Sequence, residues 1–389
     1  MATKILSVDD ELDLEVLLTQ YFRRQIRKGE YVFSFAHNGL EALQLILKEK
    51  DFDIILSDIN MPEMDGLTLL THINEMRNPA LKCIMVSAYG DMGNIRSAMN
   101  NGAFDFATKP IDLDDLALTI EKAIEQINYI KESQREHVQL ESIQNDLQVA
   151  GEIQQAILPR KFPPFDDLKD VVDIFAEMQP AKDVGGDFYD FFRIDDDRIG
   201  LVIADVSGKG IPAALFMAVS RTLIRATSLR GLPPEECLTY SNKLLCNESI
   251  DCMFVTVFYG IYDTKTGIMT YTNAGHNPPF IQRQDKKVEM LCVAKKNIVI
   301  GIQDDYKYES DTLQLNPGET LVMYTDGVTE AFSEEKKEFS EDNLQKTLEK
   351  VTGAGSKEVV ETIVNDVKAF AGNEPQSDDI TVLTLKRLK

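Results

Sequence analysis

Tryptophan is absent from this 389-residue chain, and histidine occurs only four times. So little imidazole leaves scant material for Ser-His-Asp or Cys-His catalysis, and no such order of residues is apparent. The five cysteines, Cys83, Cys237, Cys246, Cys252 and Cys292, form no CxxC pair and no Cys/His metal spacing. That argues against a disulfide scaffold or a zinc module and for reduced thiols. Positive charge is also scarce: 41 Lys and Arg stand against 64 Asp and Glu, a formal net charge of -23. Such a balance disfavours an electrostatic grip on nucleic acid or on an anionic membrane. No apolar run approaches the roughly 18 residues of a membrane span, and MATKILSVDDE turns acidic too early for a targeting signal. A cytoplasmic protein without nucleic-acid or membrane partners is expected.

What the chain has in quantity is length and carboxylate. Its size predicts two or three domains. From residue 1 to about 120, short apolar runs (KILSV, VFSFA, IILS, CIMVSA, FDFAT) alternate with helical-period segments such as ELDLEVLLTQYFRRQ. That alternation predicts a parallel sheet with helices on both faces, a doubly wound α/β domain. Between about 115 and 158, Leu116, Ile120, Ala123, Ile127 and Ile130 recur at 4-3-4-3 spacing. After a polar break near Gln134 and His137, Leu140, Ile143, Leu147, Ala150, Gln154 and Ile157 resume in a shifted phase. This predicts a helical linker over 121–158, read as a two-stranded coiled coil that makes a homodimer in preference to a helix docked on its own domain. Pro159, Pro163 and Pro164 end it. Residues 159–389 mix strand-like runs with helical stretches at about 211–228, 233–250 and 356–371, an α+β pattern with mainly antiparallel sheets.

In a doubly wound sheet, ligands bind beyond the carboxyl ends of the strands. The first run ends in Asp9 and Asp10, the third in Asp58, the fourth in Ser87, and the fifth is followed by Lys109 and Pro110. Carboxylates so close repel one another unless a hard cation such as Mg2+ sits among them. A lysine and a hydroxyl opposite suit a phosphoryl group, and one carboxylate can become an acyl phosphate. LSDINMPEMDG (56–66), followed by SA and TKP, resembles a response-regulator receiver domain over the whole first 120 residues. The resemblance implies a flavodoxin-like fold of five parallel strands with Asp58 as phosphoacceptor and a sensor histidine kinase as donor. It implies Asp10, Asp58 and the Asn60 carbonyl as Mg2+ ligands, with Asp9 assisting through water. Ser87 and Lys109 would hold phosphoryl oxygens, and Phe106 would be the switch aromatic. Lys109-Pro110 is a candidate cis peptide.

Four further acidic motifs occupy the C-terminal region: DVGGDFYD (183–190), ADVSGKG (204–210), YTDGVTE (324–330) and SDDITVL (377–383). Several Asp without a protein nucleophile suit a pair of divalent ions that lower the pKa of a shared water. Together and in this order the motifs resemble the metal-dependent protein phosphatases of the bacterial SpoIIE/RsbU type, from about residue 150 onward. AGEIQQAILP is similar to the segment that enters that domain. The family implies two packed antiparallel sheets flanked by helices, and two Mn2+ or Mg2+ ions. By matching positions, Asp205 bridges both ions and the Val206 carbonyl binds the second, with Asp187 on the second ion's side. Asp326 and Asp378 bind the first ion, Gly186 lets backbone approach, and Asp379 stands beside the last ligand. His276 in NAGHNPP either orients phosphate or is a satisfied turn histidine, and Met217 is expected in the core.

The expected function is therefore that of a two-component effector. Phosphorylation of Asp58 would control a Mn2+/Mg2+-dependent phosphoserine/phosphothreonine protein phosphatase, and the family suggests a phosphorylated STAS-type anti-sigma-factor antagonist as substrate. The alternative is a catalytically silent adaptor that binds a partner under receiver control. ADVSGKG is no phosphate-binding Walker loop, because that pattern needs a glycine at 203, where the chain has Ile, and Ser or Thr at 210, where it has Gly.

Overall fold

A computed structural model describes residues 2–88, 92–248 and 253–389; Cys252 and its expected free thiol lie outside them. The chain divides into two compact units, 1–143 and 144–389.

The first unit carries β1 (Thr3–Val8), β2 (Tyr31–Ala36), β3 (Ile54–Asp58), β4 (Lys82–Ala88) and β5 (Asp105–Lys109) in one parallel sheet of order β2-β1-β3-β4-β5. Because side chains alternate along a strand, Leu6, Val8, Ile55 and Met85 enter one core while Ile5, Ile54, Leu56 and Ile84 enter another. Both faces are covered, as the continuous apolar runs predict.

A single 45-residue helix, Leu113–Ile157, crosses the division between the units. The polar residues near Gln134 and His137 do not interrupt it. Its first apolar repeat, Leu116, Ile120, Ala123 and Ile127, is buried in the second receiver core. At the other end Gly151, Gln154 and Leu158 are buried, Leu158 in the larger core of the second unit. Both ends of the seam thus serve their own units. Between them Val138, Leu140, Ile143, Val149 and Ile153 are exposed.

The second unit contains two five-stranded antiparallel sheets. The first comprises β7 (Phe188–Arg193), β8 (Arg198–Val206), β9 (Val255–Asp263), β10 (Ile268–Ala274) and β13 (Asp311–Gln314) in the order β13-β10-β9-β8-β7. The second comprises β6 (Val172–Gln179), β11 (Phe280–Gln282), β12 (Val288–Met290), β14 (Thr320–Tyr324) and β15 (Ile380–Arg387) in the order β12-β11-β14-β15-β6. Leu201 and Ile203 of the first sheet and Leu321, Met323 and Leu383 of the second share one core. Val322 and Val382 face the opposite way, against helices Ser340–Lys350 and Ser356–Ala371. Helices Ile211–Ser228 and Pro234–Glu248 cover the first sheet, and Met217 is fully buried there. Arg221 and Arg225 both pair with the buried Asp190 of β7, at 3.0 and 2.7 Å, anchoring the helix that follows Asp205.

Candidate functional site

Strand ends supply the first cluster. Asp9 and Asp10 follow β1, and Asp58 closes β3; their ligand oxygens all lie within 4.8 Å of one another. Lys109, ending β5, places Nζ 2.7 Å from Asp58 Oδ2, 2.9 Å from Asp9 Oδ2 and 3.1 Å from Glu11 Oε1. Burial opposes the ammonium charge, but its hydrogen bonds to Asp58, Asp9 and Glu11 outweigh that and raise the Lys109 pKa. Burial also raises the Asp9 carboxyl, against hydrogen bonds from the Glu11 amide and Lys109. Asp58 Oδ1 accepts the Ile59 amide at 2.6 Å and the Asn60 amide at 3.4 Å. Asn60 is exposed just beyond the strand. Ser87 is fully buried, and its hydroxyl has no hydrogen-bond partner among the described residues. Phe106 is half-buried on β5 beside the first core. The Lys109-Pro110 peptide is cis. A Cβ at Gly66 would fall 2.1 Å from the Asp58 carbonyl oxygen, so the glycine of MDG lets that turn close over β3.

The second cluster is drawn from both sheets of the sandwich. Asp187 precedes β7, and Asp205 and Val206 end β8; Asp326 begins a short helix after β14, and Asp378 and Asp379 precede β15. Asp187 is buried, and its Oδ2 accepts the hydroxyls of Thr325 and Thr381, each at 2.7 Å. These two bonds tie one sheet to the other directly behind the cluster. Asp187 is raised well above the ordinary carboxylate range by burial, then by the charges of Asp205 and Asp379. Asp205 is raised to about 7 by burial and the charge of Asp326. Burial and the charge of Asp378 raise Asp326. Carboxylates that burial and one another's charge raise are the donor set that divalent cations satisfy, so the residues fit an ion centre. A Cβ at Gly186 would lie 3.0 Å from the Val206 carbonyl oxygen, which accounts for the second glycine of DVGGD.

Asp379 does other work. Its Oδ1 accepts the Ala181 amide at 2.8 Å, and its Oδ2 accepts the amides of Gly186 and Asp187 at 2.6 and 3.3 Å. It holds the loop that carries Asp187. The same loop is gripped from its other side by the long helix: Gln154 Nε2 donates to the Gly185 carbonyl at 2.5 Å, and the Gly185 amide donates back to Gln154 Oε1 at 2.9 Å. Gly151, one turn earlier, comes so close to the Asp183 carbonyl that a Cβ would stand 2.3 Å from it.

His276 lies in the segment between β10 and β11. It is buried, its Nδ1 lies 2.9 Å from Thr256 Oγ1, and its main chain is clasped by the Asn273 side chain. Burial pushes its imidazole down to about 4, so it is neutral at physiological pH. Thr256 pairs with Asp205 across β9 and β8, so this histidine braces the strand that bears the carboxylate.

Two outcomes follow from this geometry. Thr325→Val removes one of the two hydroxyls on Asp187 and is expected to weaken Mn2+ binding about tenfold or more, by titration calorimetry. The second outcome concerns pH. Carboxyl groups raised on folding stabilise the fold fully below their unfolded pKa and lose that contribution as pH rises through the raised values, here through about 7 for Asp205. Divalent ions bind the ionised groups and restore the loss. The increase in Tm caused by Mn2+ over EDTA should therefore grow from pH 5.5 to pH 8, reaching roughly 5 to 10 °C at about a hundredfold excess over Kd. An increase that shrinks over that interval contradicts the assignment.

Comparison with known proteins bears on both units. The family model described as response regulator receiver domain matches residues 5–121, and that described as Stage II sporulation protein E (SpoIIE) matches residues 195–388. The phosphoserine phosphatase RsbU of Bacillus subtilis is 33% identical over 259 residues, 65% of this chain and 74% of that protein. Protein IcfG of Synechocystis is 31% identical over 269 residues, 62% of this chain but 41% of its own length. Among solved structures, the SiaA-PP2C domain of Pseudomonas aeruginosa superposes with a TM-score of 0.56 at 23% identity, covering 64% of this chain and 98% of that domain. That last likeness concerns the fold. No helix among the described residues is long and apolar enough to cross a membrane.

Proposed function

As the chain belongs to the SpoIIE/RsbU family of PP2C-type phosphatases and bears a response-regulator receiver domain, we propose that phosphorylation of Asp58 governs hydrolysis of a phosphoserine or phosphothreonine protein at the Asp187–Asp205–Asp326–Asp378 cluster. The chain is a metal-dependent phosphoprotein phosphatase. The observation that carries the finer reading is the reciprocal pair of hydrogen bonds between Gln154 and Gly185. It makes the end of the long helix that lies in the second unit a partner of the loop that bears Asp187.

In the receiver, Asp9, Asp10 and Asp58 would hold Mg2+, with the Asn60 carbonyl as a further ligand. Lys109 and the Ser87 hydroxyl stand ready for phosphoryl oxygens, and Phe106 is the aromatic that would respond. In the phosphatase, Asp205 with the Val206 carbonyl and Asp187 would serve one Mn2+ or Mg2+, and Asp205 with Asp326 and Asp378 the other. Bound divalent ions supply electrophilic stabilisation of the phosphoryl group and a water of lowered pKa. The chain's part is to hold the carboxylates oriented and apart from bulk water. Thr325 and Thr381 fix the Asp187 oxygen, Asp379 holds its backbone, and His276 steadies the Asp205 strand through Thr256.

The kinase partner is a sensor histidine kinase. The name of RsbU, a phosphoserine phosphatase, favours a phosphoserine protein as substrate, and the resemblance to that family suggests an anti-sigma-factor antagonist of the STAS kind. Dimerisation falls to the exposed Val138, Leu140, Ile143, Val149 and Ile153 of the long helix. A purified chain should release phosphate from a phosphoserine STAS protein in Mn2+ and not in EDTA. No ion-dependent release from any phosphoprotein would leave the adaptor reading in its place.

A further inference from the structure

The loop after β8 turns Lys209 back onto the ion cluster. Gly208 and Gly210 have φ of 93° and 77°, and a Cβ at either would meet open space. These glycines serve the direction of the backbone and not close packing. Between them the Lys209 ammonium reaches Asp378 Oδ2 at 2.7 Å and the Ser377 carbonyl oxygen at 2.7 Å. The hydrogen bond to Asp378 raises the Lys209 pKa, with the charges of Asp378, Asp379 and Asp326 adding to it against partial burial. It is a permanent cation on one of the carboxylates assigned to an ion.

We propose that Lys209 is a built-in competitor for Asp378, so that a divalent ion enters this site by displacing the ammonium and Lys209 sets the ion concentration at which the centre fills. The inference rests on the reading of Asp205, Asp326 and Asp378 as ion ligands. A hard dication and an ammonium seek the same oxygen, which cannot satisfy both at full strength. The pair is partly exposed, with side-chain exposures of 48% and 34%. An ion pair of that kind is worth up to about 1 kcal/mol, or about fivefold in an equilibrium constant. Exchange also moderates the change in charge, since two positive charges arrive as one departs.

The test is direct Mn2+ binding to the full-length chain, followed through the electron paramagnetic resonance signal of free Mn2+. The relevant class of site is the one that Asp378→Asn removes, which separates it from the receiver. Lys209→Gln is expected to lower the Kd of that class about fivefold, and Lys209→Met, a second neutral variant, to do the same. Lys209→Arg, which keeps the charge, should stay within about twofold of wild type. Unchanged or weaker binding in both neutral variants overturns the proposal, as does an equal gain in the arginine variant. If no class of site responds to Asp378→Asn, the ion-ligand reading falls with it; if that class exists and ignores Lys209, only the competition falls.

Discussion

Asp205→Asn is expected to cut metal-dependent phosphate release by about a hundredfold to a thousandfold while leaving the fold intact. The amide is nearly the same size, but it cannot carry the negative charge that both ion positions draw on. Asp205 is the residue through which the two sheets' carboxylates meet, with Asp187 on its own sheet and Asp326 on the other. Its substitution also removes one of the charges that add to burial in raising the Asp187 carboxyl. In EDTA at pH 8 the variant should therefore unfold at a higher temperature than wild type, even as it loses activity. Activity and stability moving in opposite directions distinguishes a lost ligand from a damaged core. Initial rates in Mn2+ that stay above about a tenth of wild type would remove Asp205 from the centre.

Asp58→Ala should abolish the response to an acyl-phosphate donor. For wild type, the ratio of phosphatase rates with and without donor is expected to depart from one by about five- to 150-fold, the usual span of coupling between sites. For the variant it should equal one. Lys109 loses one of three carboxylate partners in that change and keeps Asp9 and Glu11, so the rim retains its cation. Turnover measured in all four combinations settles the matter, and a donor response surviving in Asp58→Ala would place control outside the receiver's acceptor.

Both clusters were legible because aspartates at strand ends next to glycines form local patterns. Gly66, Gly186 and Gly327 each stand where a Cβ would meet a carbonyl oxygen, of Asp58, Val206 and Asp379 in turn. Strands and helices followed the same logic: the helix expected over 211–228 spans Ile211–Ser228. The supports were harder to read. Thr325 and Thr381 lie 138 and 194 residues from the Asp187 they serve, and nothing in a threonine on a strand marks it as a donor to a distant carboxylate. The helical seam was harder to apportion for a different reason. A 3-4 spacing records that one face is buried, not what buries it, and here the receiver takes Leu116 to Ile127 and the phosphatase takes Gln154 and Leu158. Gln154 stood among the positions of the resumed stripe. It is a polar residue in place, because its partner is main chain.

Asp378 and Asp379 are adjacent in sequence yet are engaged on different sides, the first by Lys209 and the second by the amides of Ala181, Gly186 and Asp187. Both residues stand immediately before Ile380, where β15 begins. Insertion of one residue between Asp379 and the β15 pairing that begins at Ile380 would move both carboxylates off these partners. The loop before Ser377 carries no such restriction. Natural variation in length among relatives should accordingly collect upstream of Ser377 and stop at the aspartate pair, a frame-like constraint as strict as a reading frame in a gene.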